Sequence, residues 1–118
     1  MKSSILKDVK LLCNLPDEYT PFEDGIIIHI NTTFSLLNRS SGIGPVNGFR
    51  IEDNKATWAE FTEDIVTLGL VKDYVRLTAK VMFDPPASST ILESMNKMID
   101  KLEFHLGVKA DEEVTTDE

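Results

Sequence analysis

Two long apolar-periodic segments meet at Phe83-Asp84-Pro85-Pro86-Ala87-Ser88-Ser89. Two successive prolines cannot continue a helix, and Pro85 disfavours a helical backbone at Asp84. Ser88 and Ser89 carry hydroxyl groups that can cap the start of a new helix. The stretch therefore predicts a structural helix break at Asp84, Pro85 and Pro86, with a hairpin of two long helices around it.

The helix before the break is predicted over residues 63–83. Its apolar residues fall on two stripes, which leave only a narrow polar strip around Asp73, Arg76 and Lys80. One stripe contains Ile65, Leu68, Val75 and Met82, and the other contains Val66, Leu70, Tyr74, Leu77 and Val81. Because so much of its circumference is apolar, this helix is expected to be covered on several sides.

The helix after the break is predicted over residues 89–106. Its apolar residues recur at alternating steps of three and four, the spacing of an antiparallel packing seam. These residues are Leu92, Met95, Ile99, Leu102 and Leu106. Gly107 follows the last of them and is expected to end the helix.

Two further helices are predicted in the first third of the chain. Ser4 can cap a helix over 5–13, and Thr20 can cap a second helix over 21–38. A proline suits the first position of the second helix, and Glu23 completes a capping box with Thr20. Helical structure is therefore expected on both sides of the central loop.

Residues 39–48 are rich in glycine and are expected to form a loop. For residues 49–58 two interpretations are open, a small β-hairpin that turns at Asp53-Asn54 or a helical turn that opens at Thr57. The predicted fold class is therefore mainly all-α. It is a bundle of about four helices with a long antiparallel C-terminal helix pair and, in the first interpretation, a small β-hairpin at 49–58.

The composition of the 118-residue chain is that of a single globular domain, with 42% hydrophobic and 27% charged residues. Cys13 is the only cysteine, so neither an intramolecular disulfide nor a cysteine-based zinc site is expected. We expect no secretory signal and no membrane-spanning run, because charged residues interrupt the apolar positions. The net charge of −8 argues against nucleic-acid binding by neutralisation of phosphates.

The acidic charge is concentrated at the C-terminal end. Residues 109–118 hold five acidic residues and one lysine, which together carry half of the net charge. We expect a helical domain over 1–107 and an acidic tail over 108–118 that is flexible unless it docks on a partner. Asp111, Glu112 and Glu113 are the candidate partner contacts within this tail.

The sequence offers no constellation for catalysis, metal binding or cofactor binding. His29 and His105 lie on separate predicted helices without a second histidine or a cysteine at ligand spacing. The glycine-rich loop does not match a phosphate-binding loop, because Pro45 removes a backbone donor and no Lys-Ser or Lys-Thr pair follows. The chain is therefore predicted not to be an enzyme and to hold no metal and no cofactor.

Two features are candidates for contact with a partner. Lys72, Arg76 and Lys80 form a basic line at i, i+4, i+8 spacing. This line is either a solvated face or a strip that meets the acidic face of a neighbouring subunit. Trp58 and Phe104 lie outside the main stripes, either at the edge of the core or as interface anchors.

Four motifs occur in the same order as in a known family of phage proteins. They are Thr57-Trp58, Val71-Lys72-Asp73-Tyr74-Val75-Arg76-Leu77, the Phe-Asp-Pro-Pro-x-Ser-Ser stretch within Met82–Ser89, and Leu102-Glu103-Phe104-His105-Leu106. On these motifs, residues 4–107 resemble the head-to-tail connector (adaptor) proteins of long-tailed bacteriophages. Family members often carry Trp at the position of Phe104 and Arg at the position of His105, so the sequence departs from the family pattern there.

The resemblance implies a helical bundle that assembles with copies of itself into a ring, a dodecamer, beneath the portal protein. It also implies a tail-side stopper or tail-terminator component as a partner, with DNA passing through the channel without specific binding. The expected location is the head–tail junction of the virion, after assembly in the bacterial host cytoplasm. The resemblance implies no catalysis and no membrane.

The residues alone leave a second interpretation open. A small acidic helical protein could instead be a regulatory or antitoxin-like protein that binds a single partner. Such a protein would act as a dimer or in a 1:1 complex, and not as a ring.

Overall fold

Five helices make up the part of the chain that the structure describes. The structure is a computed structural model that describes residues 4–16, 18, 20–45 and 48–116, with the backbone alone for 40, 41 and 108–116. The helices are α1 (Ile5–Leu12), α2 (Glu23–Ser41), α3 (Trp58–Phe61), α4 (Ile65–Phe83) and α5 (Ser89–Thr116). Apart from a bridge between Ser4 and Thr57, the described residues form no β-structure. The predicted mainly helical bundle is confirmed.

The predicted helix break between α4 and α5 is confirmed. At the end of α4, the amide of Asp84 donates a hydrogen bond to the carbonyl of Lys80 at 2.9 Å. At the start of α5, the hydroxyl of Ser88 accepts a hydrogen bond from the amide of Ile91 at 3.3 Å. The two prolines between these caps lack the amide groups that a continuous helix would need.

α4 is the central helix and packs against each of the other four. Its buried residues recur at every fourth position and are Thr67, Val71, Val75 and Ala79. The predicted stripes placed Ile65, Val66 and Met82 in the core, but these residues are 83%, 68% and 61% exposed. The stripes are wrong at these positions, because a helix that is apolar on several sides does not itself specify which side its neighbours cover.

Of the seam that its spacing predicts, α5 buries Ile99, Leu102 and Leu106, which are at most 9% exposed, whereas Leu92 and Met95 are only half-buried. The helix does not end at Gly107 as predicted, but continues to Thr116. A glycine destabilises a helix by about 1 kcal/mol relative to alanine. This cost does not end a helix whose backbone hydrogen bonds continue before and after the glycine. The flexibility of the acidic tail stays a prediction.

α1 and α2 are joined by a buried lysine. Ser4 caps α1 as predicted, and its hydroxyl accepts a hydrogen bond from the amide of Lys7 at 3.3 Å. α2 begins at Glu23 without a side-chain cap, so the predicted capping box with Thr20 is wrong. The Glu23 carboxylate instead accepts a hydrogen bond at 2.9 Å from Nζ of Lys10, which is 2% exposed. A buried ammonium needs a charged partner, and Glu23 supplies it.

A cluster of four aromatic rings forms part of the core. Phe34 stacks on Phe61 with ring centroids 4.4 Å apart, while Phe49 and Trp58 meet Phe34 edge to face. Gly44 lies so close to Phe61 that a Cβ atom at this position would be 2.4 Å from the ring. Its φ of 99° also favours glycine. The loop after α2 is thus held against the cluster.

Residues 49–57 form an irregular segment, so the predicted β-hairpin is wrong. Ile51 is buried, and its amide donates to Oδ1 of Asn31 at 2.7 Å while its carbonyl accepts from Nδ2 of Asn31 at 3.0 Å. The first amide of α1 donates to the carbonyl of Ala56 at 3.0 Å. Because α1 and α2 satisfy these backbone groups, the segment does not pair with itself. The alternative interpretation, a helical turn after Thr57, is confirmed as α3.

Candidate assembly surfaces

Arg76 and Lys80, two members of the predicted basic line, are engaged within their own chain. Arg76 donates to Oδ1 of Asp73 at 2.8 Å, and Lys80 forms an ion pair with Asp84. Hydrogen bonds from Lys80 and then from Asn14 lower the pKa of Asp84. Lys80 therefore pairs with the C-cap residue of its own helix, and contact of the two cations with a neighbouring subunit stays a prediction.

Trp58 and Lys72 lie at the edge of the aromatic cluster. Trp58 is 2% exposed, and its Nε1 donates a hydrogen bond to Oδ2 of Asp8 at 2.8 Å. Nζ of Lys72 lies 5.9 Å from the centroid of the indole ring, which is within the range of a cation–π contact. Of the two interpretations open for Trp58, its burial fits the edge of the core, and a role in contact with a partner stays a prediction. Contact of Lys72 with a neighbouring subunit stays a prediction.

Phe104 projects from α5 and is 67% exposed. Its ring meets the ring of His105 edge to face, with centroids 5.6 Å apart. A large aromatic side chain this exposed is suited to anchor an interface. Asp111, Glu112 and Glu113 follow on the same helix, but their side chains lie outside the described residues. The role of all four residues as partner contacts stays a prediction.

A groove of about 320 Å³ lies open between α4 and α5. Its walls are formed by Leu77, Thr90, Ile91, Ser94, Met95 and Met98. Ile91 and Met98 are 54% and 50% exposed. The groove was not predicted, although a signal was present. Ile91 and Met98 are seven positions apart, and therefore on one face of the helix, yet they lie outside the packing seam.

Charged side chains lie on the side of α5 that borders this groove, and one of them, Lys97, has its Nζ atom 4.0 Å from Oε1 of Glu93. Lys101 follows Met98 by three positions, and Lys97 lies one turn before Lys101, so the helical period places both lysines beside the groove. Asp100 and Glu103 fall on the other side of the helix by the same period. α5 therefore carries two lysines beside its apolar groove, one of which is paired with a glutamate of the same helix.

Burial shifts the pKa of two groups where α4 meets its neighbours. Nε2 of His29 lies 3.0 Å from Oγ1 of Thr78, and burial lowers the pKa of this imidazole. The hydroxyl of Tyr74 donates to Glu103 at 2.9 Å, and burial, followed by this carboxylate, raises the pKa of Tyr74 to about 12. Both side chains are therefore neutral near pH 7 and serve helix packing.

Two further properties bear on the kind of site that the chain can form. Within the described ranges, no three His, Cys, Asp or Glu side chains are grouped to hold a metal ion. Nor does any helix in this part of the chain have the length and apolar character to cross a bilayer. The features that remain are contact surfaces, namely the groove, the charged side of α5 beside it and Phe104.

A comparison with known proteins indicates which kind of partner these surfaces contact. A family model described as phage connector protein matches residues 5–113. The chain belongs to this family. The match begins at the first residue of α1 and extends to within three residues of the end of α5. No curated protein and no solved structure matches the connector.

Membership confirms the resemblance that the four motifs indicated. The connector family is a structural family and is not known for enzymatic activity. Membership of this family assigns the connector to the head–tail junction of a phage virion, where the connector interacts with other head or tail proteins.

Proposed function

We propose that copies of this connector form a dodecameric ring between the portal protein and a tail-side stopper or tail-terminator component. The ring surrounds the channel through which DNA leaves the head. The observation that carries this proposal is the family match, which spans almost the whole helical part of the chain.

The distribution of exposed apolar side chains supports a subunit with several neighbours. Ile28 on α2, Ile65 on α4 and Phe104 on α5 are 64%, 83% and 67% exposed. Exposed apolar surface of this kind is typical of protein interaction sites. A ring subunit contacts one copy on either side and other components above and below, so it needs separate surfaces.

The charge of the connector supports the passage of DNA without specific binding. The net charge of −8 is of the same sign as the phosphate backbone. Like charges disfavour adhesion of the DNA to the wall of the channel. Asp111, Glu112, Glu113 and the basic line on α4 are proposed as contacts to neighbours or to the portal.

The direct test is electron microscopy of the connector mixed with purified portal assemblies. We expect ring-shaped connector density with twelve-fold symmetry on one face of the portal. Binding of a single copy, or no binding, would contradict the proposal, and the single copy is what the regulatory-protein interpretation predicts.

The matched control is the connector without the portal. We expect sedimentation as a monomer or a weak oligomer, because ring formation is proposed to depend on the portal. A stable dimer with exchanged helices would be inconsistent with this dependence.

A further inference from the structure

The segment that leads into α3, here called the strap (residues 51–57), is tied at both ends to other helices. At its start, the amide and the carbonyl of Ile51 both bond to the side chain of Asn31, which is 4% exposed. At its end, the carbonyl of Ala56 accepts a hydrogen bond from the amide of Ile5, the first residue of α1. The strap therefore connects α2 to the N-terminus of α1.

The hydroxyl group of Ser4 ties the cap of α1 to the strap. It donates a hydrogen bond to the carbonyl of Asn54 at 2.7 Å and accepts one from the amide of Lys7 at 3.3 Å. A hydroxyl group has a single proton to donate, so the bond to the strap also orients the oxygen that caps the helix. The cap of α1 therefore depends on the position of the strap.

A further side-chain contact joins α1 to the residue that follows the strap. Nε1 of Trp58 donates a hydrogen bond to Oδ2 of Asp8 at 2.8 Å. The indole ring of Trp58 also meets Phe34 of the aromatic cluster edge to face. Both α1 and the strap are therefore attached to the aromatic cluster through Trp58.

The first part of the same connection is held by a different side chain. Nδ2 of Asn38 donates to the carbonyl of Pro45 at 2.7 Å and to the carbonyl of Ile43 at 3.3 Å. Gly44, between these two residues, lies against Phe61. These contacts link the first part of the connection to α2 and α3, so this part serves as an internal comparison for the strap.

α1 and the strap each lose hydrogen bonds when the other moves away. Without the strap, α1 loses the acceptor for the amide of Ile5, and a helix of eight residues is not stable in water on its own. Without α1, the carbonyls of Asn54 and Ala56 lose their donors. In contrast, α2, α4 and α5 pack against one another in every pairing, and these contacts remain when both parts leave.

We propose that α1 and the strap form one cooperative unit that detaches from the other helices as a whole, with Asn31 as the residue that holds it closed. Local opening of native proteins proceeds in such contiguous units. Opening exposes Ile5, Leu6 and Val9, each at most 1% exposed in the closed form, together with the side of α4 on which α1 packs. The closed subunit therefore hides an apolar surface that the open form makes available. This unit belongs to the free subunit, so it does not depend on the proposed ring.

Native-state hydrogen exchange of the free connector tests the cooperative unit. Asn31→Ala removes both hydrogen-bond partners of Ile51 and leaves buried backbone groups unpaired. We expect exchange at the amide of Ile51 to become about tenfold faster, because unpaired buried groups destabilise the closed form. Exchange at the amides of Ile5 and Asp8 in α1 is expected to rise by the same factor. Exchange within α4 and α5 is expected to stay unchanged.

Asn38→Ala is the matched control, because it removes an asparagine of the same helix that holds the other part of the connection. It is expected to speed exchange at the amide of Ile43 and to leave α1 unchanged. Two outcomes of Asn31→Ala would overturn the proposal. Faster exchange at Ile51 alone would show that the strap opens without α1. Equally faster exchange in all helices would show that the chain has no separate unit.

A substitution in α1 decides the question if Asn31→Ala does not fold. Asp8→Ala removes the acceptor of the bond from Trp58 and leaves the bonds between Ile51 and Asn31 in place. Because coupling between two places in a protein is reciprocal, exchange at the amide of Ile51 is expected to rise by about the same factor as exchange in α1. Faster exchange in α1 with unchanged exchange at Ile51 would contradict the cooperative unit.

Discussion

The aromatic cluster and the α4–α5 hairpin use large apolar side chains in opposite ways. In the cluster, Phe34, Trp58 and Phe61 are at most 2% exposed. On the hairpin, Met98 and Phe104 are 50% and 67% exposed, although they lie on a helix that also carries a well-buried seam. The comparison separates side chains that stabilise this chain from side chains that remain available to a partner.

Truncation of one phenylalanine in each region is expected to produce the largest difference in the free energy of unfolding. Phe34→Ala should lower the free energy of unfolding by about 3–5 kcal/mol, because it removes a fully buried ring that stacks on Phe61. Phe104→Ala should change it by at most about 0.5 kcal/mol. Urea unfolding followed by circular dichroism measures both, and equal losses would abolish the distinction between the regions.

A methyl group added to the loop that covers the cluster should have the next largest effect. Gly44→Ala should destabilise the chain by about 3 kcal/mol, because the new Cβ would lie 2.4 Å from Phe61 in a backbone with φ of 99°. Gly48→Ala is the matched control, since its φ is 88° but, apart from its chain neighbours, no atom of the described residues lies within 4 Å of the new Cβ. The control should cost about 1–2 kcal/mol. Thermal unfolding of the two variants should rank them in this order, and the reverse order would contradict it.

Replacement of both prolines at the break is expected to act on the hairpin. Pro85→Ala with Pro86→Ala should lower stability by about 1–2 kcal/mol, because the unfolded chain gains conformational freedom. Hydrogen exchange should increase locally at the helix junction. Pro16→Ala, at an exposed proline outside the hairpin, should leave that exchange unchanged. Unchanged melting and exchange in the double variant would show that the prolines are incidental to the break.

The smallest expected effect is a pH dependence at the contact between the break and the end of α1. The folded pKa of Asp84 is lowered by hydrogen bonds from Lys80 and Asn14. Its contribution to stability is therefore present above the ordinary aspartate pKa of about 3.9 and is lost as the pH falls through the lower folded value. Asp84→Asn should destabilise the chain at pH 7 and have no effect once the pH is below that folded value. Urea unfolding of both proteins over this pH range measures the difference between their free energies of unfolding. A difference that does not vary with pH would contradict the lowered pKa of Asp84.

Local signals determined several features of this protein from the sequence alone. The two prolines separate α4 from α5 where predicted, Ser4 caps α1, and the seam from Ile99 to Leu106 is buried. In each case the physical cause acts within a few residues, through a missing amide, a hydroxyl acceptor or a helical period. The four motifs also indicated the connector family, which the family match confirms.

Only the tertiary structure decided which apolar and charged residues face the core. Trp58 is buried because its indole nitrogen has a carboxylate partner on α1, and Glu23 pairs with buried Lys10 in place of forming a capping box. The exposed positions of α4 and the groove beside α5 depend on which sides the other helices cover. The sequence of a helix that is apolar on several sides is compatible with several arrangements of its neighbours. The packing of the whole chain therefore decides which of these sides is buried.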